Sequence, residues 1–572
     1  MSAVLSKESR QKAIEAMKNK ELDILVIGGG IVGAGSALDA ATRGLSTGIV
    51  EARDWAAGTS SRSSKLIHGG LRYLEMLDFA LVTEALKERG LLLQKIAPHL
   101  TRPVPFLYPL EHRFWERPYV TAGITLYDTL GMTSGNSRGV PMQKQYSRKG
   151  TLKIAPALKE DSVVGSIRYY DGQVDDARYN MEVVRTAAHY GAHAANRAEV
   201  IGLIKEGQRV VGAKVRDIEN DEVFEVRAKQ VVNATGVWTD ETQEMVGEQG
   251  KLRVRASKGV HIVVPKDRIQ SEVGFIFRTE KSVLFVIPWF GPHWVIGTTD
   301  TDWELDKAHP AATANDIDYI LDHVNKVLKR PLTRDDVEGV FAGLRPLLAG
   351  ESDSTAKLSR EHVVSHPAPG IVMVAGGKWT TYRVMAKDAI DEAVRSSDAD
   401  ISKSVTEQVP LIGAEGFVAT KNNKQNLADE YGVNLATIEH LLGRYGSNTE
   451  EVLEYIKENK KFGETIPGTE NYILAEAAYA ASHEGALHLE DILTRRTRIS
   501  IEAWDRGVSA APVVAEIMAD ILGWDEKQTQ REAKFYEARV EAERKSQEQT
   551  DDESAEKVRL EAEDIVRNEI VE

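Results

Sequence analysis

Cysteine is absent from all 572 residues of the chain, which removes disulfides, thiolate nucleophiles, cysteine-ligated zinc and iron–sulfur clusters together. No run of about 18 or more consecutive apolar residues occurs either, so no membrane-spanning helix is expected. Met1–Glu21 mixes lysine and glutamate with scattered apolar side chains. It lacks the apolar core of a signal peptide, which makes a cytoplasmic location the expectation. A basic excess is also missing: 72 Lys and Arg stand against 87 Asp and Glu, a formal net charge of -15. Nucleic-acid partners normally need a broad basic surface, and an anionic small molecule would have to meet a local cationic pocket. The histidines are dispersed, with no HExxH pattern, and no metal site is expected.

What is present begins with Leu22–Gly35, LDILVIGGGIVGAG. Gly28, Gly30 and Gly33 give the spacing of a dinucleotide-binding turn, in which a strand turns sharply and a helix N-terminus faces a pyrophosphate. Ile31–Arg43 is helix-like, Gly44 is a stop, and Ser46–Val50 reads as a second strand delivering Glu51 to a ribose hydroxyl. That carboxylate would repel a 2′-phosphate, which disfavours NADP. The turn alone does not choose between NAD and FAD.

The length calls for two or three domains. The runs Lys229–Asn233 and Ile371–Ala375 lead into Ala234-Thr235-Gly236 and Gly376-Gly377-Lys378, each like a strand ending at a ligand. They predict an α/β chain whose nucleotide domain is discontinuous and Rossmann-like. His261–Pro265, Ser282–Pro288 and His293–Gly297 predict a second, mostly antiparallel sheet. After about Ser397 the spacing turns helical, as in Leu435–Leu442 and Glu450–Ile456. The expected division is an N-terminal segment 1–21, a nucleotide domain over 22–90, 165–255 and 335–397, a substrate domain over 91–164 and 256–334, a helical domain over 398–545, and a charged, solvated tail over 546–572.

Thr59–Glu75 reads TSSRSSKLIHGGLRYLE. Hydroxyls of Thr59, Ser60 and Ser64, with the Lys65 ammonium, are suited to cofactor phosphates, and His68 stands beside a Gly-Gly turn with Arg72 and Tyr73 following. This segment, the first glycine turn, Ala234-Thr235-Gly236, Ile296–Asp300 (IGTTD), Gly343–Pro346 (GLRP) and Gly376–Arg383 (GGKWTTYR) together closely resemble the FAD-dependent glycerol-3-phosphate dehydrogenases, within the D-amino-acid-oxidase-like flavoproteins.

The resemblance implies FAD as cofactor, sn-glycerol 3-phosphate as substrate, membrane quinone as electron acceptor and peripheral contact with the inner face of a membrane. Lys7–Lys20 only partly meets the pattern of an amphipathic membrane segment. Of the residues, His68 is the expected base. Arg345, permanently charged, is expected to hold substrate and stabilise alkoxide-like charge. Arg72 and Arg360 match the phosphate clamp, with Tyr73 beside it, and Lys378 serves substrate or flavin. Gly28, Gly30, Gly33, Glu51, Ala234, Gly236 and Gly377 complete the expected cofactor set. Thr380 or Thr381 is expected to cap the helix that follows. Asp300 either orients a site group or is a turn aspartate. The rival readings are an oxidase using oxygen, an amine or amino-acid oxidase on the same fold, and a non-catalytic FAD-binding scaffold. No motif fixes the oligomeric state, and a homodimer is among the states open.

Overall fold

The computed structural model describes residues 4–70, 78–112, 115–133, 139–247, 253–280, 283–349, 362–395, 397, 399–562 and 564–565. The apolar run Leu22–Ile27 forms a strand flanked by parallel strands on both sides, Thr47–Val50 and Glu222–Asn233. Outside these lie Ile371–Gly376 and His193–Ala195, also parallel, with His362–Ala368 antiparallel at one edge. Both faces of the central strand are buried, as a parallel strand requires. Ile24 and Val26 pack under the helices Ile31–Thr42, Asp176–His189 and Tyr382–Val394. Leu25 and Ile27 point the other way, toward the hairpin Ala198–Glu206/Arg209–Asp217 and the N-terminal helix Lys7–Asn19.

That N-terminal helix starts at a Ser6/Ser9 capping box and buries Ala13, Ile14 and Met17, while Arg10 Nη2 meets Asp217 Oδ1 at 2.5 Å. Its apolar face is consumed inside the protein, so Lys7–Lys20 has none to offer a membrane. Among the described residues no helix is long and apolar enough to cross one.

Among the described residues the second sheet has ten strands. Val254–Pro265 lies near one end of it, paired with His293–Gly297, Thr301–Trp303 and Gly339–Leu348, all antiparallel. The sheet continues through Val283–Pro288, Gly274–Arg278, Thr101–Leu110 and Gly165–Val174 to the short strand Leu66–Ile67. The junction of Gly274–Arg278 with Thr101–Leu110 is parallel. Gly165–Val174, Gly339–Leu348 and Leu66–Ile67 thus pair in the second sheet, although they fall within segments the sequence assigns to the nucleotide domain. Half-buried and fully buried strands share the same β-branched, glycine-bounded texture, so texture does not reveal which sheet a strand joins.

Beyond Phe417 the chain is helical, with apolar clusters of its own around Leu441 and Leu453 and around Ile492 and Met518. Buried ion pairs tie this region to the rest: Arg496 to Asp54 at 2.6 Å and Arg498 to Asp175 at 2.7 Å. Nor do the described residues after Ser546 form a solvated tail. A helix over Asp552–Arg559 lies back on the second sheet, where Asp552 pairs with buried Lys258 and the Glu556 carboxylate accepts from the Asp306 amide. Arg559 is buried, and Asp564 reaches Arg53 at 3.3 Å. Composition reads this segment as solvated because it does not show that its charges have partners elsewhere.

Candidate active site

The parallel strands of the first sheet end along one edge, the usual place for a ligand in such sheets. Gly28 takes φ +106°, and a Cβ there would lie 2.8 Å from Ala234 O. At Gly33 a Cβ would meet Gly28 O at 1.9 Å, so glycine alone lets the helix start this close to the strand. Gly30 is the N-cap and has no side chain to cap with. Ser60 takes over: its Oγ accepts from the Ile31 amide at 2.9 Å. Glu51 is fixed from two sides, accepting from Gly29 N at 2.6 Å and Arg53 N at 2.8 Å. Burial raises its pKa against these two hydrogen bonds, and two oxygens retain capacity for further donors. Ala234 N closes on Ile27 O at 3.0 Å, and Gly236 opens the turn that follows. A helix N-terminus beside a cradle that admits no Cβ, with a held carboxylate one strand away, fits a dinucleotide.

His68 follows the strand Leu66–Ile67, and its main chain is pinned on both sides. Thr380 Oγ1 accepts from His68 N at 3.2 Å and donates to His68 O at 3.3 Å. The next amide, Gly69 N, donates to the Tyr127 hydroxyl at 2.8 Å, which in turn donates to Asp171 Oδ1 at 2.6 Å. Arg89 completes this buried group with a 2.8 Å bond to the same oxygen. Burial raises the Asp171 pKa, opposed by Arg89 and by the Tyr127 hydroxyl. Thr380 is therefore engaged with His68 and does not cap the helix. Thr381 does not cap it either: it is the N-cap residue of Tyr382–Val394 but makes no side-chain cap, its Oγ1 donating back to Lys378 O at 3.4 Å. Gly377 and Lys378 occupy the turn just before, with Lys378 buried.

Arg345 extends from Gly339–Leu348. Its Nη2 donates to Thr298 Oγ1 at 3.1 Å and Thr299 O at 3.0 Å, while Nη1 reaches Ser257 Oγ and Asp300 Oδ1, each at 3.4 Å. Asp300 also accepts from Ser257. Of its two readings, the orienting one fits: the carboxylate stands beside the guanidinium. The Arg345 strand packs on the Thr59–Arg62 turn, since Thr59 Oγ1 donates to Leu344 O at 2.6 Å. Ser64 bonds to His261 Nε2 at 2.9 Å, and the His261 ring stacks on Phe341 at 4.8 Å. Burial, then Arg345 and Lys65, hold the His261 pKa well below the ordinary imidazole value, so His261 is neutral.

Lys65 departs from expectation. Its ammonium is buried, 2.8 Å from Asp176 and donating to Ser61 O at 3.1 Å, so its charge is spent inside the protein rather than on a phosphate. Arg72, Tyr73 and Arg360 lie outside the described residues. Sequence reasoning gave no role to Tyr127, Asp171, Arg89, Ser257, Thr298 and His261; of these Thr298 stands in the IGTTD motif, and the others in none. The paired aromatics of Tyr169-Tyr170-Asp171 are the nearest thing to a signal.

Residues 23–383 match the family model for FAD dependent oxidoreductases, and residues 404–529 match that for the C-terminal domain of alpha-glycerophosphate oxidase. The chain is 56% identical over 571 residues to glycerol-3-phosphate dehydrogenase 2 of Mycobacterium tuberculosis, covering 100% of this chain and 97% of that protein. To the human mitochondrial glycerol-3-phosphate dehydrogenase it is 38% identical over 547 residues, 92% of this chain and 74% of that one. The crystal structure of the Bacillus halodurans glycerol-3-phosphate dehydrogenase complexed with FAD superposes with a TM-score of 0.77 at 31% identity, covering 94% of this chain and 98% of that one. With the dinucleotide cradle, the pinned His68 turn and this agreement over nearly its whole length, the chain belongs to the FAD-dependent glycerol-3-phosphate dehydrogenases.

Proposed function

We propose that the chain oxidises sn-glycerol 3-phosphate to dihydroxyacetone phosphate and passes the electrons to membrane quinone while peripherally associated with the membrane. The observation that carries this reading is the joining of the His68 turn and the Arg345 strand to the cofactor edge through Thr380, Thr59 and Ser60. FAD, held at the Gly28, Gly30 and Gly33 cradle and by Glu51, would supply the electron sink, with flavin N5 as the acceptor for the hydride of the substrate's secondary carbon. His68 accepts the hydroxyl proton as the carbonyl forms. Arg345, always charged, orients the oxygen and stabilises its developing negative charge. Ser257, Thr298, Thr299 and Asp300 hold the guanidinium in place for that task. Arg72 and Arg360, with Tyr73, bind the phosphate, and Lys378 serves substrate or flavin. Gly28, Gly30, Gly33, Glu51, Thr59, Ser60, Ser64, Ala234, Gly236, Gly377, Thr380 and Thr381 form the cofactor's surroundings.

An anaerobic visible spectrum before and after adding sn-glycerol 3-phosphate tests the reductive half. The flavin band should bleach, and an unchanged band would overturn the substrate. Reoxidation by a water-soluble quinone should then outpace reoxidation by oxygen. Rapid stoichiometric hydrogen peroxide would instead favour the oxygen-using oxidase, the reading suggested by the name of the C-terminal family model.

A further inference from the structure

A cavity of about 80 Å³ is bounded by the Thr59–Arg62 turn, the strand Gly339–Leu348 and the C-terminal helices; none of its lining residues is among those assigned to cofactor or substrate above, although Ser61 and Phe341 on its wall touch Lys65 and His261. Five guanidinium groups line it, from Arg62, Arg495, Arg498, Arg539 and Arg559, against one carboxylate, Glu543. Four of the five have acidic partners: Arg495 meets Asp491 at 2.6 Å, Arg498 meets Asp175 at 2.7 Å, Arg539 meets Glu490 at 2.5 Å and Arg559 meets Glu543 at 3.5 Å.

Arg62 is different. Its Nη1 donates to Ala308 O at 3.1 Å, and no carboxylate among the described residues lies within ion-pair distance of it. A guanidinium carries five N–H donors, so most of Arg62's capacity is unused. Burial, then repulsion from Arg539 and Arg495, draws its pKa down to about 9. The surroundings thus disfavour the cation that occupies them, and a negative charge in the cavity would relieve this. Ser500, on the same wall and only 9% exposed, has a hydroxyl with no hydrogen-bond partner among the described residues. Buried groups of this kind are normally satisfied. His309, the imidazole on the wall, is held neutral mainly by burial, its pKa lowered to about 4.

We propose that this cavity binds a tetrahedral oxyanion, either inorganic phosphate or the phosphoryl group of a small phosphate ester, through Arg62 and Ser500. One water needs about 10–15 Å³ of such space, so the cavity has room for an oxyanion and its nearest waters. Arg62 lies two residues after Ser60, which caps the cofactor-facing helix. An anion here would therefore tie the C-terminal helices to the turn that holds the cofactor edge.

Crystals of the FAD-loaded protein soaked in selenate test the site by anomalous scattering. A selenium peak between Arg62 and Ser500 is expected in the wild type, absent in Arg62→Met and weakened in Ser500→Ala, a variant small enough to leave folding intact. No peak in the wild type, or an undiminished one in Arg62→Met, overturns the proposal whatever is found at His68 and Arg345. Competition separates the sources. Loss of the peak with orthophosphate alone identifies the free ion, and loss with glycerol 3-phosphate as well admits the ester. Displacement by neither overturns the assignment.

Discussion

Tyr127→Phe removes one oxygen atom at a junction between the fold and the proposed chemistry. The ring is retained, and with it the packing against Val82 and Leu86 and the edge contact with Tyr169 at 6.4 Å. Three hydrogen bonds are lost: the 2.8 Å bond from Gly69 N, the 2.6 Å bond to Asp171 and a long, weak one of 3.4 Å from Arg89 Nη1, which keeps its bond to Asp171. An orphaned buried amide costs about 1–3 kcal/mol, and a bond to a charged acceptor contributes about 1.5–3 kcal/mol. Because Asp171 also attracts the Gly69 amide and can take over part of its bonding, the combined loss should be about 2–4 kcal/mol rather than the sum. Part of that appears as stability and part as freedom of the His68–Gly70 turn. Each ~1.4 kcal/mol expressed at the reacting geometry is tenfold in rate. Anaerobic stopped-flow of flavin reduction should show a loss of roughly 5- to 30-fold, with FAD content unchanged and the pH profile of reduction displaced. A Tyr127→Phe protein that melts earlier yet reduces at the wild-type rate, with the wild-type pH profile, would refute the idea that this hydroxyl positions His68.

His68→Asn should keep its FAD and reduce about 10²- to 10⁴-fold more slowly, the usual contribution of a general base; cofactor loss would make the residue structural. Arg345→Lys replaces a fork with a point charge that cannot span Thr298, Thr299, Ser257 and Asp300, and turnover should fall about 10²- to 10³-fold at unchanged FAD content. Equal turnover would remove Arg345 from the reaction. Lys65→Met removes the ammonium from Asp176, which keeps its pairing with Arg498, so a loss of about 1.5–3 kcal/mol should lower the melting temperature while the folded fraction binds FAD normally; impaired FAD affinity with unchanged melting would restore Lys65 to the cofactor site. His488 bridges Glu532 at 2.8 Å and Glu219 at 3.0 Å. Burial opposes its protonation, but the two carboxylates prevail and raise its pKa well above the ordinary imidazole value. Its stabilisation is complete below about pH 6.5 and disappears as pH rises through the elevated pKa. Alkaline melting curves should therefore lose a component that is missing from His488→Gln at every pH, and parallel curves for the two proteins would contradict the linkage.

The glycine turn was legible because its parts are contiguous: strand, three spaced glycines, helix and Glu51 lie within about 30 residues, the length of one such unit. His68 and Arg345 were found through resemblance, on motifs that are each only a few residues long. What supports them was not legible. Tyr127 is 58 residues from Gly69, and Thr380 is 312 residues from His68. No local pattern links such partners. Lys65 shows the same limit in reverse. Beside serines it reads as a phosphate ligand, until Asp176, 111 residues later, takes its charge. The docked segment after Ser546 was hidden because burial of Arg559 and pairing of Asp552 depend on Lys258 and the second sheet, which composition does not contain.

The parallel sheet has a consequence for how the chain is made. Its central strand, Leu22–Ile27, pairs on one side with Thr47–Val50 but on the other only with Glu222–Asn233, and the latter must still await Ile371–Gly376. During synthesis from the N-terminus, the cofactor edge therefore cannot close until residues some 350 positions downstream of the first strand have left the ribosome. Until then the nascent chain carries an apolar strand edge with no partner. A cofactor that needs the His68 turn joined to Thr380 would find that join only once Thr380 has been made, so it would latch an assembled body rather than seed its folding.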